Sequence, residues 1–596
     1  MTKTDDQMKT IVADACSRSG HLLHVLHALQ RQLLHIPREA VREVAARLGL
    51  PISQVESVAE FYSFFHKTPR GRYSILLSNC TSCGYKADGS NLMHMLCDHL
   101  GVVAGMTRAD GLVSVDQTSC IGMCDHGASL LANGIPITGL DAGRIARIAE
   151  LIESETPLSD WPADWFRVDD HIHNSGLLLG NDFAAGDGLR ASLARGAEDT
   201  LAAITQSGLR GRGGAGFSAG MKWKFCREAP GDAHYVVCNA DEGEPGTFKD
   251  RILLNSHADA LFEGMTVCAS VIGAKQGFLY LRGEYRYLLP HLQEVLKKRR
   301  ELGLLGSSIL GQSGFDFDIG IVVGAGAYIC GEESALIESL EGKRGIPRNR
   351  PPFPVTHGYL GQPTVVNNVE TFAAAAYVSL RGSEWLKATG TEKSPGSKLL
   401  SVSGDCVSPG IYEYPFGVSI REVLDDCGAQ DVQAVQIGGP AGTLIGGNEF
   451  HRKLAFEDLS TGGSFMVFGN QRDLLDIIVN FAHFFAHESC GFCTPCRVGT
   501  TLLKKGLNKI AAGRGTKYDL DEMKRLAALI KRRSHCGLGQ TASNPILDVM
   551  HRFPHILEQR LAQSDFEPYL DLDAALEEAR QVTHRDDAAA HLEQRG

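Results

Sequence analysis

Residues 318–342 read DIGIVVGAGAYICGEESALIESLEG. The stretch is a strand, a glycine turn and a helix, the unit from which parallel sheets are built. Working outward, strands and helices alternate from about 195 to 395, which predicts a parallel α/β domain. The Gly324-Ala-Gly326 turn, running into Gly331-Glu332-Glu333, then lies where such a sheet commonly binds a ligand. Downstream comes Lys343-Arg344-Gly-Ile-Pro-Arg348-Asn-Arg350-Pro-Pro-Phe353-Pro, a stiff basic loop ending in an aromatic ring.

Upstream lies a second glycine loop, Gly211-Arg-Gly213-Gly-Ala-Gly216-Phe217. It contains a formal G-x-G-x-x-G, but a helical stretch precedes it, so it is not the dinucleotide fingerprint. Successive glycines still expose N–H groups, and Arg210, Arg212 and Lys222 add positive charge, which favours phosphate. Between the loops, Asn239-Ala-Asp241-Glu242-Gly-Glu244 offers three acids. That suits hydroxyls on a ribose or ribityl chain better than phosphate.

The cysteines form two sets. Cys490, Cys493 and Cys496 have C-x2-C-x2-C spacing, with Cys536 in HCGLGQ as a distant fourth. Three thiolates in two short steps suit three corners of a [4Fe-4S] cubane; zinc is the alternative. Cys80, Cys83, Cys120 and Cys124 form the second set, with spacing that suits [2Fe-2S] or zinc. The other eight of the 16 cysteines read as small buried hydrophobes.

The rest of the chain divides by pattern. Residues 1–70 read as a helical bundle, with Leu22, Val25, Leu26, Leu29 and Leu33 at helical spacing. A Ser53–Glu56 capping box is expected to open the last of its helices. Residues 71–155 read as a small α/β domain, with an Asn133-Gly134 hairpin. Residues 156–194 read as a linker, 195–395 as the parallel domain, 396–475 as short strands with glycine-rich turns, and 476–596 as mostly helical. At 596 residues, several domains are expected. The formal net charge of −11 argues against a general nucleic-acid binder. No apolar run of about 18 residues occurs and no signal peptide is evident, so a cytoplasmic chain without a membrane span is expected.

The motifs SGLRGRGGAGF, CNADEGEPGTFKDR, GAGAYICGEE, RPPFP and ESCGFCTPCRVG with HCGLGQ resemble the NADH-binding flavoprotein subunit of respiratory complex I, over about 195–585. AEFYSFFHKTPRGRYSI and CIGMC resemble the small [2Fe-2S] subunit of the same enzyme. A fusion of both resembles the diaphorase flavoprotein subunits of soluble NAD-reducing hydrogenases. The resemblance implies a multidomain α/β fold. Its parts would be the N-terminal bundle, a thioredoxin-like [2Fe-2S] domain, a Rossmann-like FMN/NAD(H) domain, a β-grasp-like domain and a helical [4Fe-4S] domain.

It implies FMN held by Gly211, Arg212, Gly213, Lys222, Asn239 and Asp241, with Glu242, Tyr328, Gly331, Glu332, Asn367 and Asn368 completing the site. It implies NAD(H) stacked on the flavin, with Phe217, Phe225 and Phe353 at the adenine and Glu244 at the ribose. Glu333 would lie close by. An acid at the ribose would repel a 2′-phosphate and favour NAD over NADP. Glu242 and Lys222 would act at the reacting flavin, Lys222 by its charge. The chemistry implied is hydride exchange between NAD(H) and FMN, then single-electron transfer through iron–sulfur clusters. Implied partners are an iron–sulfur diaphorase subunit and the hydrogenase small and large subunits. The corresponding subunit of an NAD-dependent formate dehydrogenase and a non-catalytic iron–sulfur scaffold are the alternatives. The complete N-terminal bundle favours hydrogenase over formate dehydrogenase. Two departures from the family stand out: Cys80-x2-Cys83 replaces C-x4-C, and Ser218-Ala219 replaces Pro-Thr.

Overall fold

A computed structural model describes residues 5–82, 91–563 and 572–586. Four helices open the chain, Asp5–Arg18, Leu22–Leu33, Arg38–Leu48 and Ile52–Phe61. Leu22, Val25, Leu26 and Leu29 are buried as their spacing requires. The expected Ser53–Glu56 box does not form. The helix begins two residues earlier, behind Pro51, whose ring presets an extended entry without any side-chain cap.

The next domain is a four-stranded sheet, β1 (Tyr73–Ser78), β2 (Val113–Thr118), β3 (Leu130–Ala132) and β4 (Ile135–Ile137), in the order β2-β1-β3-β4. β1 and β2 are parallel, and β3–β4 is a hairpin turned by Asn133 (φ 50°) and Gly134 (φ 82°). Both turn residues take the left-handed backbone that a two-residue hairpin demands. Cys80 follows β1 and Cys120 follows β2, so the two strand ends bring them together. The segment 156–194 is more ordered than a linker: Trp161 and Trp165 complete the core of this domain. Within it β5 (Ile172–Asn174) joins a sheet formed by residues far downstream.

The stretch around 318–342 sits in a fully parallel sheet of β6 (Tyr235–Ala240), β7 (Gln276–Leu281), β8 (Asp318–Val323) and β9 (Thr364–Asn368). The order β8-β7-β6-β9 reverses direction between β6 and β9. That is a switch point, where the carboxyl ends of strands open a crevice. Asn239 and Asn368 stand there. Helices Ala258–Ile272 and Val369–Arg381 pack beside the sheet so closely that a Cβ on Gly264 would lie 1.9 Å from the carbonyl oxygen of Phe372. The N-terminal bundle shares one apolar core with Val237, Tyr280, Val322 and Ile337. Tyr62 donates its hydroxyl to Ser339 Oγ at 2.7 Å, and a ring nitrogen of His27 bonds Gly324 O at 3.0 Å.

A third sheet contains β10 (Ser397–Gly404), β11 (Gly410–Pro415), β12 (Val432–Ile437), β13 (Thr443–Gly446) and β14 (Ser464–Gly469). Its order is β13-β12-β14-β10-β11-β5. Helices Leu474–Glu488, Thr494–Ala511, Lys517–Arg533 and Asn544–Arg552 follow. Among the described residues, no helix is long and apolar enough to cross a membrane.

Candidate functional site

The crevice at the β6/β9 switch point opens into a cavity of about 470 Å³. Its walls come from three parts of the chain: both glycine loops and the acidic segment of the parallel domain, the turns around Gly438 and Thr461, and the Gly537–Thr541 helix. Of the residues expected here, Gly213, Asn239, Asp241, Glu242, Glu244, Tyr328, Gly331, Glu332 and Asn368 line it. Asn239 Nδ2 donates to Gly331 O at 2.8 Å and joins two of these segments. Glu332 caps the helix Glu333–Leu340, accepting from the Ser334 and Ala335 amides. Asn368 caps Val369–Arg381 and donates from Nδ2 to Asp250 Oδ2 at 2.6 Å.

Other expected residues stand off this wall. Gly211 is tied into its own turn, its amide donating to Phe217 O at 2.8 Å. The Arg212 guanidinium lies over the Phe416 ring and donates to Pro395 O, so its charge points away from the cavity. Arg210 likewise lies over Phe456 and donates to Gly216 O. Arg210 thus anchors the loop, while Arg212 Nη1 stays buried without a hydrogen-bond partner among the described residues. Lys222 Nζ pairs with Glu333 Oε2 and donates to Val366 O, each at 2.9 Å. Asn367 accepts from Trp223 Nε1 at 3.3 Å. Phe217, Phe225 and Phe353 are exposed at 51%, 42% and 51%, high for phenylalanine rings.

Several wall residues are ones that sequence patterns do not single out: Thr247, Lys249, Ala441, Thr461, Leu538 and Thr541. Lys249 is the cation on this wall. It lies within GTFKDR, a motif whose lysine carries no spacing signal of its own. It is fully buried, 2.5 Å from Asp250 and 3.1 Å from Glu370. Burial opposes its charge, but Asp250 and Glu370 outweigh that and raise its pKa. Lys398 pairs with the same Glu370. Burial lowers its pKa to about 7 despite that partner.

The acids of the cavity are strongly perturbed. Burial pushes Glu242 and Glu244 up to about 7. Glu242 accepts from Tyr285 OH at 2.9 Å and from the Asp250 amide at 2.8 Å. Glu244 accepts from Tyr328 OH at 2.5 Å and from the Ala441 amide at 2.8 Å. Asp241 is pushed well above the usual carboxylate range by burial, and its Oδ2 has no hydrogen-bond partner among the described residues. A buried carboxylate oxygen without a donor, on a residue that lines the cavity, is what a polyhydroxyl ligand would satisfy. A Cβ on Gly213 would lie 3.2 Å from Asn368, and one on Gly331 would lie 3.3 Å from Asp241 O, so glycine keeps these walls close. Cavity and donor set fit FMN.

The cysteines converge as two groups. Cys490, Cys493, Cys496 and Cys536 line one small cavity under Ile329 and Leu538. The His535 amide lies 3.5 Å from Cys493 Sγ, and Ser489 Oγ lies 3.3 Å from Cys496 Sγ. Four thiols with hydrogen-bond donors around them fit a [4Fe-4S] cluster. In the other group Cys120 and Cys124 sulfurs are 3.2 Å apart, and Cys80 and Cys124 sulfurs 3.6 Å. The Gly122 amide donates to Cys120 Sγ at 3.4 Å. Three converging thiols fit most of a [2Fe-2S] ligand set; Cys83, the expected fourth, lies outside the described residues. Arg282 connects this group to the cavity, donating to Cys120 O at 2.7 Å and to Glu242 O at 2.5 Å.

Three stretches match known families: residues 8–153 the thioredoxin-like [2Fe-2S] ferredoxins, 204–377 the Nuo51 FMN-binding domain, and 476–560 the iron–sulfur binding region of NADH-ubiquinone oxidoreductase-F. The chain is 44% identical over 588 residues to the alpha subunit of the NAD-reducing hydrogenase HoxS of Cupriavidus necator, covering 96% of this chain and 97% of that one. This chain belongs to the family of NAD-reducing hydrogenase alpha subunits. A solved NAD⁺-reducing [NiFe]-hydrogenase in the H2-reduced state contains a similar chain, with a TM-score of 0.89 and 43% identity. The match covers 96% of this chain and all of that one. A component of the NADH-quinone oxidoreductase of Rhizobium meliloti is 41% identical over 379 residues, 61% of this chain and 90% of that one. The family of hydrogenase alpha subunits thus joins a [2Fe-2S] domain to a flavoprotein of the quinone-oxidoreductase type. Its members are oxidoreductase subunits, and this chain matches both the [2Fe-2S] and the flavoprotein families.

Proposed function

We propose that this chain is the diaphorase subunit of a soluble, cytoplasmic NAD-reducing hydrogenase. FMN lies in the 470 Å³ cavity, a [4Fe-4S] cluster on Cys490, Cys493, Cys496 and Cys536, and a [2Fe-2S] cluster on Cys80, Cys83, Cys120 and Cys124. When bound, FMN supplies hydride exchange with NAD(H) and passes electrons singly to the clusters. Its partners are an iron–sulfur diaphorase subunit and the hydrogenase small and large subunits. The finer fold reading is a Rossmann-like FMN/NAD(H) domain, with the third sheet as a β-grasp-like unit.

The chain's own residues place and exclude. Gly213 and Gly331 let the backbone approach the ligand. Asp241 and Glu332 receive hydroxyl donors. Glu242 and Glu244 sit at the cavity with carboxyls that titrate near neutrality, so each can hold or release a proton there. Lys222 acts through its pairing with Glu333 rather than as an unpaired charge. Phe217, Phe225 and Phe353 offer exposed rings for an adenine, and Glu244 favours NAD over NADP by its charge.

The observation that carries this reading is a buried Asp241 Oδ2 with no partner among the described residues, on a residue lining a glycine-walled cavity, with a four-cysteine site sharing part of that wall. The test is anaerobic purification followed by flavin, iron and sulfide assay and NADH-driven viologen reduction. A yellow-brown protein with bound flavin and that activity is expected. A colourless zinc protein would overturn the reading.

A further inference from the structure

The flavin cavity and the four-cysteine cavity are separate spaces with two wall residues in common, Ile329 and Leu538. Both side chains are buried, at 3% and 6% exposure, and neither carries a polar atom. They come from opposite sides. Ile329 belongs to the Tyr328–Gly331 turn of the parallel domain, closed by the Glu332 amide on Ile329 O at 2.9 Å. The Tyr328 amide next to it is held by Glu488 at 3.1 Å. Leu538 belongs to the Gly537–Thr541 helix of the C-terminal domain. It lies two positions after Cys536 and also lines the flavin cavity. The cysteine side of the pair is lined by Ser489, Phe492, His535, Pro347 and the four cysteines.

We propose that Ile329 and Leu538 are a dry partition between flavin and cluster, passing electrons while excluding water and protons. The proposal rests on FMN and [4Fe-4S] occupying the two cavities under the functional reading above. In each crossing the reduced flavin loses one electron and the cluster gains one; no bond forms across the wall. Two crossings, the cluster passing its first electron to the iron–sulfur partner subunit before the second, return the flavin to its oxidised form, and its two protons leave on the flavin side, where Glu242 and Glu244 lie. An apolar wall of this kind sets the dielectric around the cluster, and with it the reduction potential. Leu538 and Ile329 are thus positioning residues for electron transfer.

The test uses the anaerobic holoenzyme complex with Leu538→Asn, Ile329→Thr and the conservative Leu538→Met. Three quantities are read: flavin and iron content, the midpoint potential of the [4Fe-4S] signal by EPR-monitored titration, and stopped-flow rates of flavin bleaching and cluster reduction by NADH. The partition predicts a higher midpoint in both polar variants, because added polarity favours the more negative, reduced cluster. It also predicts that cluster reduction slows several-fold more than flavin bleaching, and that Leu538→Met restores both readouts. Wild-type potential and wild-type rate ratio in both polar variants would overturn it. If Leu538→Asn loses its cluster, Ile329→Thr, from the other element, decides. Failure of NADH to bleach the wild-type flavin would contradict the underlying functional reading instead.

Discussion

Arg251 grips Asp125 with two hydrogen bonds, Nη1 to Oδ1 at 3.0 Å and Nη2 to Oδ2 at 2.7 Å, fully buried between the [2Fe-2S] domain and the flavin domain. Arg251 also donates to Gly122 O at 2.7 Å, inside the Cys120–Cys124 loop. Burial opposes ionisation of Asp125, but Arg251 and two histidines outweigh it and hold its pKa far below the usual range. Asp125→Ala leaves a buried guanidinium unpaired and should cost about 3 kcal/mol or more. Asp125→Leu combined with Arg251→Met should cost less than the sum of the single changes. Thermal unfolding of the four proteins of the cycle checks this, and additive losses would contradict it.

The two cysteine sets should be separable. Cys536→Ser should remove the [4Fe-4S] signal and leave the [2Fe-2S] signal, and Cys80→Ser should do the reverse. Iron content and EPR of NADH-reduced protein read both. Loss of both signals in either variant would mean that the sites do not form independently.

Glu244 gives a pH dependence with a definite sign. Its native pKa is held near 7 by burial, above its ordinary 4.5. A carboxyl raised in this way contributes stability that is fully present below about 4.5 and lost as pH rises through about 7. Relative to wild type, Glu244→Gln should therefore gain thermal stability as pH rises from about 4.5 to 7 in the flavin-free protein. A wild-type-minus-variant difference that stays flat across that window would contradict the assignment.

The exposed rings make a binding prediction. Phe217→Ala or Phe353→Ala should raise KM for NADH about fivefold, the worth of one aromatic stacking contact of ~1 kcal/mol, with a smaller change in kcat. Equal losses in KM and kcat would point to a broken loop instead of a lost nucleotide contact.

The architecture is readable wherever periodicity or punctuation is strong. The 318–342 strand–turn–helix, the Asn133-Gly134 hairpin and the Cys490–Cys496 run all carry their pattern in neighbouring residues. What local pattern does not give is direction. Arg210 and Arg212 look like phosphate ligands beside a glycine loop, yet the rings of Phe456 and Phe416, about 200 residues or more downstream, claim their guanidinium groups. Lys249 escapes notice because its place on the cavity wall depends on Asp250 and Glu370, and Glu370 is 121 positions away along the chain. The segment 156–194 reads as a linker because Trp161 and Trp165 have no period, although their burial orders the chain around them. In each case a long-range contact, invisible to local pattern, decides which way a side chain points.

Whether this chain carries electrons from NADH through flavin to iron is tested most directly by anaerobic stopped-flow mixing of the purified holoprotein with NADH, followed by rapid-freeze EPR. The prediction is bleaching of about one flavin per chain, followed by appearance of a [4Fe-4S] signal that Cys536→Ser abolishes. Flavin that stays oxidised in the presence of NADH, or a chain that holds zinc and no flavin, would contradict it.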